Sequence, residues 1–441
     1  MENLTEKLKS QPEEIRECLK SIAALAGEFN YPVYIVGGFV RDLILGVEDF
    51  DLDIVIEGDG IHFAKELSHR LKADFIKHRR FQTATIVIKD KTHPQVKIFG
   101  SGIKIDIATA RKEIYEQPAA LPKVSPGTIK EDLGRRDFSI NAMALSISEN
   151  TFGQLVDFYD SREDLGNKRI RVLHPLSFID DPTRLLRIIR FEQRFNFKLE
   201  KTTSRLLKEA VGLKMLQKVH KHRLRDELIL IFKEPQAVRC IRRVYDLCGF
   251  EFIHHGLRLS SPMLAMLKKA NEMHAWFKDN FPHKRRLELR VLYLAVLLES
   301  LSSLELRKVL TEFAFHKSES KVVLSYKSDT ERVRLKLEAA VHPSSIYKIL
   351  QSLRYEVIIL ILAKTNEAKI KNKLMDFLRL YDGIRIFTSG HELKELGVSP
   401  GPDFKEILEA LLYAKLDKKF HSKEEELLYL QDKILSKRTS V

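Results

Sequence analysis

The run Gly37-Gly38-Phe39-Val40-Arg41-Asp42, followed by Asp51-Leu52-Asp53, decides how the first part of this chain is read. Pro32–Val36 ahead of it is short, apolar and β-branched, which predicts a strand. Val40–Leu45 has helical spacing, so the glycine pair falls at a strand-to-helix turn. Missing side chains there let backbone approach a phosphate, and a helix N-terminus favours an anion. Leu52–Ile56 reads as a second strand. Alternate residues of a strand face the same way, so Asp51 and Asp53 project together. Carboxylates held side by side repel one another. A pair of divalent cations resolves that repulsion: Mg²⁺ takes carboxylate and substrate phosphate oxygens together, and two-metal sites drive displacement at phosphorus. A glycine pair alone is ordinarily a turn, and Asp-x-Asp alone a solvated strand end. Their combination at this spacing is far more specific.

Around this run, Ile61–Leu71 reads as a helix, and Thr83–Lys89 and Lys104–Ala108 as further strands. The result is a small α/β domain with a mixed or mostly antiparallel sheet. Asp106, inside the apolar run Ile105-Asp106-Ile107, is either a third carboxylate of the site or an outward-facing edge residue. Arg111–Lys130 holds Pro118, Pro122, Pro126 and Gly127, and reads as a long loop. Beyond about Arg135 the pattern turns helical and strand-like alternation is scarce. Apolar residues recur at helical spacing through Pro182–Phe195, Thr203–Val211, Arg223–Phe232, Leu287–Leu301, Ile346–Leu362 and Asp403–Ala414.

Bulk properties narrow the class. At 441 residues the chain is too long for one core. Apolar runs such as Val357–Ala363 are far too short to span a bilayer, and Met1-Glu2-Asn3 starts no signal peptide. Cys18, Cys240 and Cys248 form neither a paired framework nor a metal spacing, which fits the cytoplasm. The 75 Lys and Arg against 61 Asp and Glu give a net charge of +14. That excess is segregated. Residues 1–150 hold 21 basic and 23 acidic side chains; the remainder holds 54 and 38, a net of +16. Segregated positive charge is either the footprint of a polyanion or a solvated set of lysine-rich helices.

Two further clusters carry chemistry. Arg135-Arg136-Asp137-Phe138-Ser139-Ile140-Asn141 follows the proline-bearing loop. Adjacent arginines can clamp phosphate oxygens, and the Asp can accept from ribose hydroxyls; an ordinary surface-paired helix start is the plainer alternative. Asp181, Arg184, Arg187 and Arg190 recur at a spacing of three and fall in one sector of a helix. That row either faces anions or forms a salt-bridged exposed face.

The run from Gly37 to Asp53, with Arg135-Arg136-Asp137 and Asp180-Asp181-Pro182-Thr183-Arg184, resembles the class II tRNA nucleotidyltransferases (CCA-adding enzymes) and bacterial poly(A) polymerases of the polymerase β superfamily. The motifs span about residues 30–235; Gly390-His391-Glu392-Leu393…Gly397…Pro400-Gly401-Pro402 matches more loosely. The resemblance implies an α+β fold: a small mixed-sheet nucleotidyltransferase head followed by an elongated all-α neck, body and tail. The corresponding segments are 1–145, 146–235, 236–385 and 386–441. It implies template-independent addition of C, C and A to the 3′ end of tRNA from CTP and ATP, with release of pyrophosphate. The alternatives are an enzyme adding only A or only CC and, further off, a poly(A) polymerase. Asp51 and Asp53 would hold Mg²⁺, with Asp106 assisting in catalysis. Gly38, Arg41, Arg135, Arg136, Asp137, Asn141, Arg187 and Arg190 would hold ribose and phosphates, and the Arg111–Lys130 loop would help pass from CTP to ATP.

Asp181 and Arg184 would read the base. Adenine and cytosine each offer an amino donor beside a ring-nitrogen acceptor; guanine and uracil offer the reverse. A carboxylate beside a guanidinium therefore accepts the first two and rejects the others. Two positions depart from the family pattern. Asp180 stands where the family has Glu, and so does His222, in Lys221-His222-Arg223-Leu224-Arg225-Asp226-Glu227. The basic helical part would grip tRNA, no membrane is involved, and no feature sets an oligomeric state.

Overall fold

The computed structural model describes residues 2–47, 51–78, 82–88, 103–396, 398 and 401–435. It folds as two compact units, residues 1–252 and 253–441.

The first unit is built on a seven-stranded sheet. Its strands are β1 (Val33–Val36), β2 (Leu52–Ile56), β3 (Asp74–His78), β4 (Thr83–Ile88) and β5 (Ile103–Thr109), then, after a separate ribbon, β8 (Met143–Ser146) and β9 (Leu155–Asp157). Their order is β3-β4-β5-β2-β1-β8-β9. The sheet is mixed as expected: β2 and β5 run parallel, and every other pair is antiparallel. β2 and β5 are interior strands, and Val55 joins Val36, Leu133 and Ala144 in a buried cluster. The polar exceptions matter most. Asp53 is the exposed position of an otherwise buried β2, and Lys104 and Asp106 are more open positions in the strict in–out alternation of β5. The helix Gly60–Arg70 packs on β4 and β5; its N-terminus is capped by Asp59, which accepts from the Ile61 and His62 N–H groups.

Several expectations change. The Arg111–Lys130 loop is a two-stranded antiparallel ribbon, β6 (Arg111–Ile114) with β7 (Lys123–Pro126), and Ile129 already opens the next helix. Its strands carry no apolar stripe and are tied down by charge instead: Glu113 Oε1 meets Arg111 at 2.9 Å and Arg135 at 3.1 Å. Pro126 sits at the ribbon end, where a missing N–H is tolerated. β8 and β9 lie beyond the point where the pattern turned helical. Lys89, the expected end of β4, lies outside the described residues. Asp106 is no edge residue, because β5 is flanked by β4 and β2.

The rest of the first unit and all of the second are mainly helical. In the second unit, Leu289–Leu298 and Tyr355–Lys364 are buried nearly all round, as central helices of a bundle must be. The expected single helix over Ile346–Leu362 is two, Pro343–Leu350 and Tyr355–Lys364. A satellite core of Leu393, Ile407, Leu411, Phe420 and Leu430 closes the C-terminal end. Gly390 opens a short helix capped by Ser389; Gly397 and Pro400 lie outside the described residues. Among the described residues no helix is long and apolar enough to cross a membrane.

Candidate active site

A cavity of about 660 Å³ opens in the first unit, and the motifs converge on it. Gly38, Arg41, Arg135, Arg136, Asp137, Asn141, Asp181, Arg184, Arg187 and Arg190 all line it, as does Asp53. Eight of its lining residues are arginines, Arg194 and Arg223 included. A neighbouring cavity of about 440 Å³ shares Asp53, Arg135 and Arg136 and adds Asp106, Lys104 and Thr85.

Parallel pairing of β2 with β5 puts Asp53 opposite Asp106. Asp51 stands exposed just before β2. Although its side chain opens to the cavity, the surrounding protein strips enough water from the Asp53 carboxyl to push it up to about 6; Arg136 and Lys104 pull against this, while Asp106 and Asp51 add to it. Asp106 accepts from Thr85 Oγ1 at 2.6 Å and pairs with Lys104 Nζ. Among the described residues, three side chains with ligand atoms mutually within 4.8 Å occur instead at His254, His255 and Glu305 of the second unit. There His254 Nδ1 accepts the Gly256 N–H and Glu305 Oε2 caps its own helix, while His254 Nε2 and Glu305 Oε1 face each other at 3.7 Å. The three aspartates are less tightly grouped. Crowded carboxylates with one raised pKa nevertheless suit a divalent cation shared with substrate phosphate. Asp53 and Asp51 are the residues fit to hold it, and Asp106 adjoins them.

This gives a pH-dependent prediction. The ordinary carboxyl value is 3.8 and the folded value about 6, so the folded chain keeps a proton that the unfolded chain releases. Stability from this group is present below the lower value and is lost as pH rises through the upper one. Without divalent ions, Asp53→Asn is expected to melt a few degrees above wild type at pH 7, the gap closing below pH 4. Thermal melts across that range check it.

Gly37 and Gly38 occupy the turn between β1 and the helix Gly38–Leu45. Gly37 has φ +73°, and a Cβ there would lie 2.8 Å from Arg136 Nη1 and 3.7 Å from Asp53 Oδ2. The left-handed backbone conformation is what calls for glycine here; the tight neighbour is the end of the Arg136 side chain.

The arginines fall into two sets. Arg41 is buried and engaged within the fold: Nε and Nη2 grip Asp42 at 2.8 and 2.6 Å, Nη1 reaches Asn141 Oδ1, and the guanidinium lies 4.6 Å from the Phe195 ring centre. Asn141 donates on to Asp137 Oδ1 at 3.0 Å, and Asp137 Oδ2 takes Arg187 Nε and Nη2 at 2.9 and 2.6 Å. Burial alone would raise the Asp137 carboxyl; Arg187 and Asn141 outweigh it and hold it below the usual range. Arg41, Asn141, Asp137 and Arg187 therefore form one hydrogen-bonded wall. The second set has donors to spare. Arg136 Nε and Arg190 Nε are buried without a hydrogen-bond acceptor among the described residues. Both residues line the cavity with the rest of their side chains; the Nε atoms themselves are enclosed, and Arg190 Nε lies 3.8 Å from Glu234 Oε1.

Asp181 is not on the helix with the arginines. It follows the short helix Ser177–Asp180 in an extended conformation (φ −130°, ψ 91°), and the arginine helix runs Arg184–Phe195. Pro182 is the reason, since the residue before proline is pushed out of the helical region. Asp181 Oδ1 accepts Thr183 Oγ1 at 2.7 Å and Arg223 Nη2 at 2.8 Å. Arg184 donates to Ser177 Oγ at 2.6 Å and to the Arg135 carbonyl at 2.7 Å, which uses two of its five N–H groups. Asp180 ends the short helix with its carboxylate 3.9 Å from His174 Nδ1. His222 is exposed and stacks on His220, so the missing Glu leaves the Arg223–Asp181 bond in place. Glu113, Tyr115, Asp132 and Thr183 belong to the site or its walls but carry no pattern of their own in the sequence. Their low exposure in the folded chain, seen most clearly in Glu113 and Asp132, is what marks them.

Residues 33–171 match the Poly A polymerase head domain. The chain is 36% identical over 415 residues to an A-adding tRNA nucleotidyltransferase of Geobacter sulfurreducens, covering 93% of this chain and 46% of that protein. It thus spans about half the length of that relative. It is 32% identical over 401 residues to the A-adding tRNA nucleotidyltransferase of Halalkalibacterium halodurans, covering 89% of this chain and 86% of the relative. The chain belongs to the class II tRNA nucleotidyltransferases. A solved Thermotoga maritima CCA-adding enzyme, complexed with tRNA_CCA, superimposes with a TM-score of 0.72 at 31% identity over 98% of each chain. Apo form II of a CCA-adding enzyme gives 0.76 at 32% identity, again over 98% of each. As a class II tRNA nucleotidyltransferase the chain has the mixed-sheet head and helical remainder of its family.

Proposed function

We propose that this chain extends the 3′ end of tRNA with C, C and A, taking the nucleotidyl group from CTP and ATP and releasing pyrophosphate. The observation that carries this is one arginine-lined cavity joining Asp53 to Asp181 and Arg184. The triphosphate lies along the Arg136 and Arg190 side, next to Asp53. Among the described residues the side-chain hydrogen bonds of Asp181 all fall on Oδ1, which leaves Oδ2 to accept a base amino group, while Arg184 keeps N–H groups for the ring nitrogen. Asp51 and Asp53 hold Mg²⁺, with Asp106 beside them. When bound there, Mg²⁺ would supply positive charge that offsets the repulsion between the RNA hydroxyl and the α-phosphate and the charge on the leaving pyrophosphate. Arg41, Asn141, Asp137 and Arg187 line the same cavity as one hydrogen-bonded wall and hold ribose and phosphates.

In this reading the head (1–145) and neck (146–235) perform the chemistry and the body (236–385) and tail (386–441) hold RNA. The net charge of +16 beyond residue 150 supports it. Affinity for tRNA is then expected to fall about 10³-fold between roughly 50 and 200 mM salt. Filter binding across that range checks it, and a flat dependence contradicts it.

A second reading, addition of the final A alone, is favoured by the names of the Geobacter and Halalkalibacterium relatives. Purified chain, tRNA lacking all of CCA or only the terminal A, and labelled CTP and ATP supplied separately decide between the two. Incorporation of C into tRNA lacking CCA supports full addition. A into tRNA ending in CC, with no C on the shorter tRNA, supports the second reading.

A further inference from the structure

Two neighbouring arginines of the cavity share an anchor that the reading above leaves unused. Asp132 lies in the helix Ile129–Gly134, is 0% exposed, and lines neither cavity. Its Oδ1 accepts Arg135 Nε at 3.0 Å and Nη2 at 2.6 Å; its Oδ2 accepts Arg136 Nη2 at 3.0 Å. The Arg111 N–H adds a longer bond to Oδ1 at 3.4 Å. A carboxylate buried this deeply is tolerated only when fully paired, and here two guanidinium groups pair it. Burial would raise its carboxyl, but Arg136 and Arg135 hold it below the usual range, so it stays ionised.

The consequence falls on Arg136. An arginine side chain has several rotatable bonds, and one end of this fork is fixed at Nη2. Nε is buried with no acceptor among the described residues, and Nη1 lies against Gly37, near Asp53. Arg135 is pinned on both sides, by Asp132 and by Glu113, and its carbonyl holds Arg184.

We propose that Asp132 is a positioning residue for phosphate recognition: by fixing Nη2 it holds the Arg136 guanidinium so that its Nη1 end faces the triphosphate beside Asp53. This rests on the nucleotide reading of the cavity. Asp132 touches no substrate itself and acts through Arg136.

The test compares the full chain's affinity for ATP and for adenosine, which lacks the phosphates, by calorimetry. Asp132→Asn keeps the shape and removes the charge. ATP affinity is expected to fall about tenfold, the scale of one lost hydrogen bond to a charged group, with adenosine unchanged. A purely structural role would weaken both ligands alike, and that outcome overturns the proposal. Arg136→Gln is expected to lower ATP affinity similarly, and the double variant no further, because coupled residues are not additive. Additive losses would overturn it. Should Asp132→Asn fail to fold, Arg136→Gln with unchanged ATP affinity overturns it equally. A wild-type chain that prefers adenosine or binds both equally contradicts the nucleotide reading. A wild-type preference for ATP that Asp132→Asn leaves undiminished contradicts this inference alone.

Discussion

Asp53→Ala is expected to abolish nucleotide incorporation, by about 10³-fold or more, while tRNA affinity stays within about twofold. Asp53 is the one position of β2 open to the cavity, stands opposite Asp106 in the parallel ladder, and lies within 4 Å of any Cβ built on Gly37. No nearby carboxylate can replace it. Asp51 stands outside the cavity lining, and Asp106 is occupied by Thr85 and Lys104. Single-turnover incorporation, measured beside filter binding of tRNA, separates lost chemistry from lost RNA affinity. Retained incorporation would remove Asp53 from the site.

Asp181→Asn is expected to relax base choice. A carboxylate only accepts, whereas an amide both donates and accepts. The variant can therefore satisfy the carbonyl of guanine or uracil, which Asp181 leaves unpaired. Discrimination of ATP against GTP should fall by about 10–100-fold, the scale of one buried unsatisfied group. Arg184→Ala is expected to act differently. It removes the donor to the ring nitrogen and two bonds that hold Ser177 and the Arg135 carbonyl, so ATP and CTP use should fall without a matching gain for GTP. The specificity constants of the four triphosphates check both variants, and unchanged selectivity in both would remove the pair from base reading.

The parts of the head legible in the sequence were those governed by short-range rules. β-Branched runs gave β1, β2, β4 and β5, and the glycine pair marked the turn beside them. Residues coupled through space were harder to see. β8 is buried at all four positions and so shows no alternation; β9 has three residues; β3 is a largely exposed edge strand. The ribbon read as a loop because its strands are held by Glu113 and the arginines rather than by an apolar face. Gln351–Arg354 breaks a helix without glycine or proline, so helical spacing ran on across it.

The site shows the same division. Every residue proposed for nucleotide binding lines one cavity, because motif spacing survives folding. Their individual partners were not legible. Arg41 looks like a phosphate ligand in sequence but is largely engaged by Asp42 and Asn141. Asp181 shares the spacing of the arginine row, yet Pro182 takes it off the helix and so frees its carboxylate from the helix surface. Asp132 reads as an ordinary acid at a helix start; only its complete burial between two arginines sets it apart.

The central claim is that this cavity selects a nucleotide by its amino-bearing edge and transfers it to RNA. The most direct measurement supplies the purified chain with Mg²⁺, tRNAs truncated within their CCA end, and each of the four nucleoside triphosphates in turn, resolving products to single nucleotides. Extension from ATP, or from ATP and CTP, with none from GTP or UTP is the predicted result. No extension of any tRNA, or equal extension from all four triphosphates, would contradict the account.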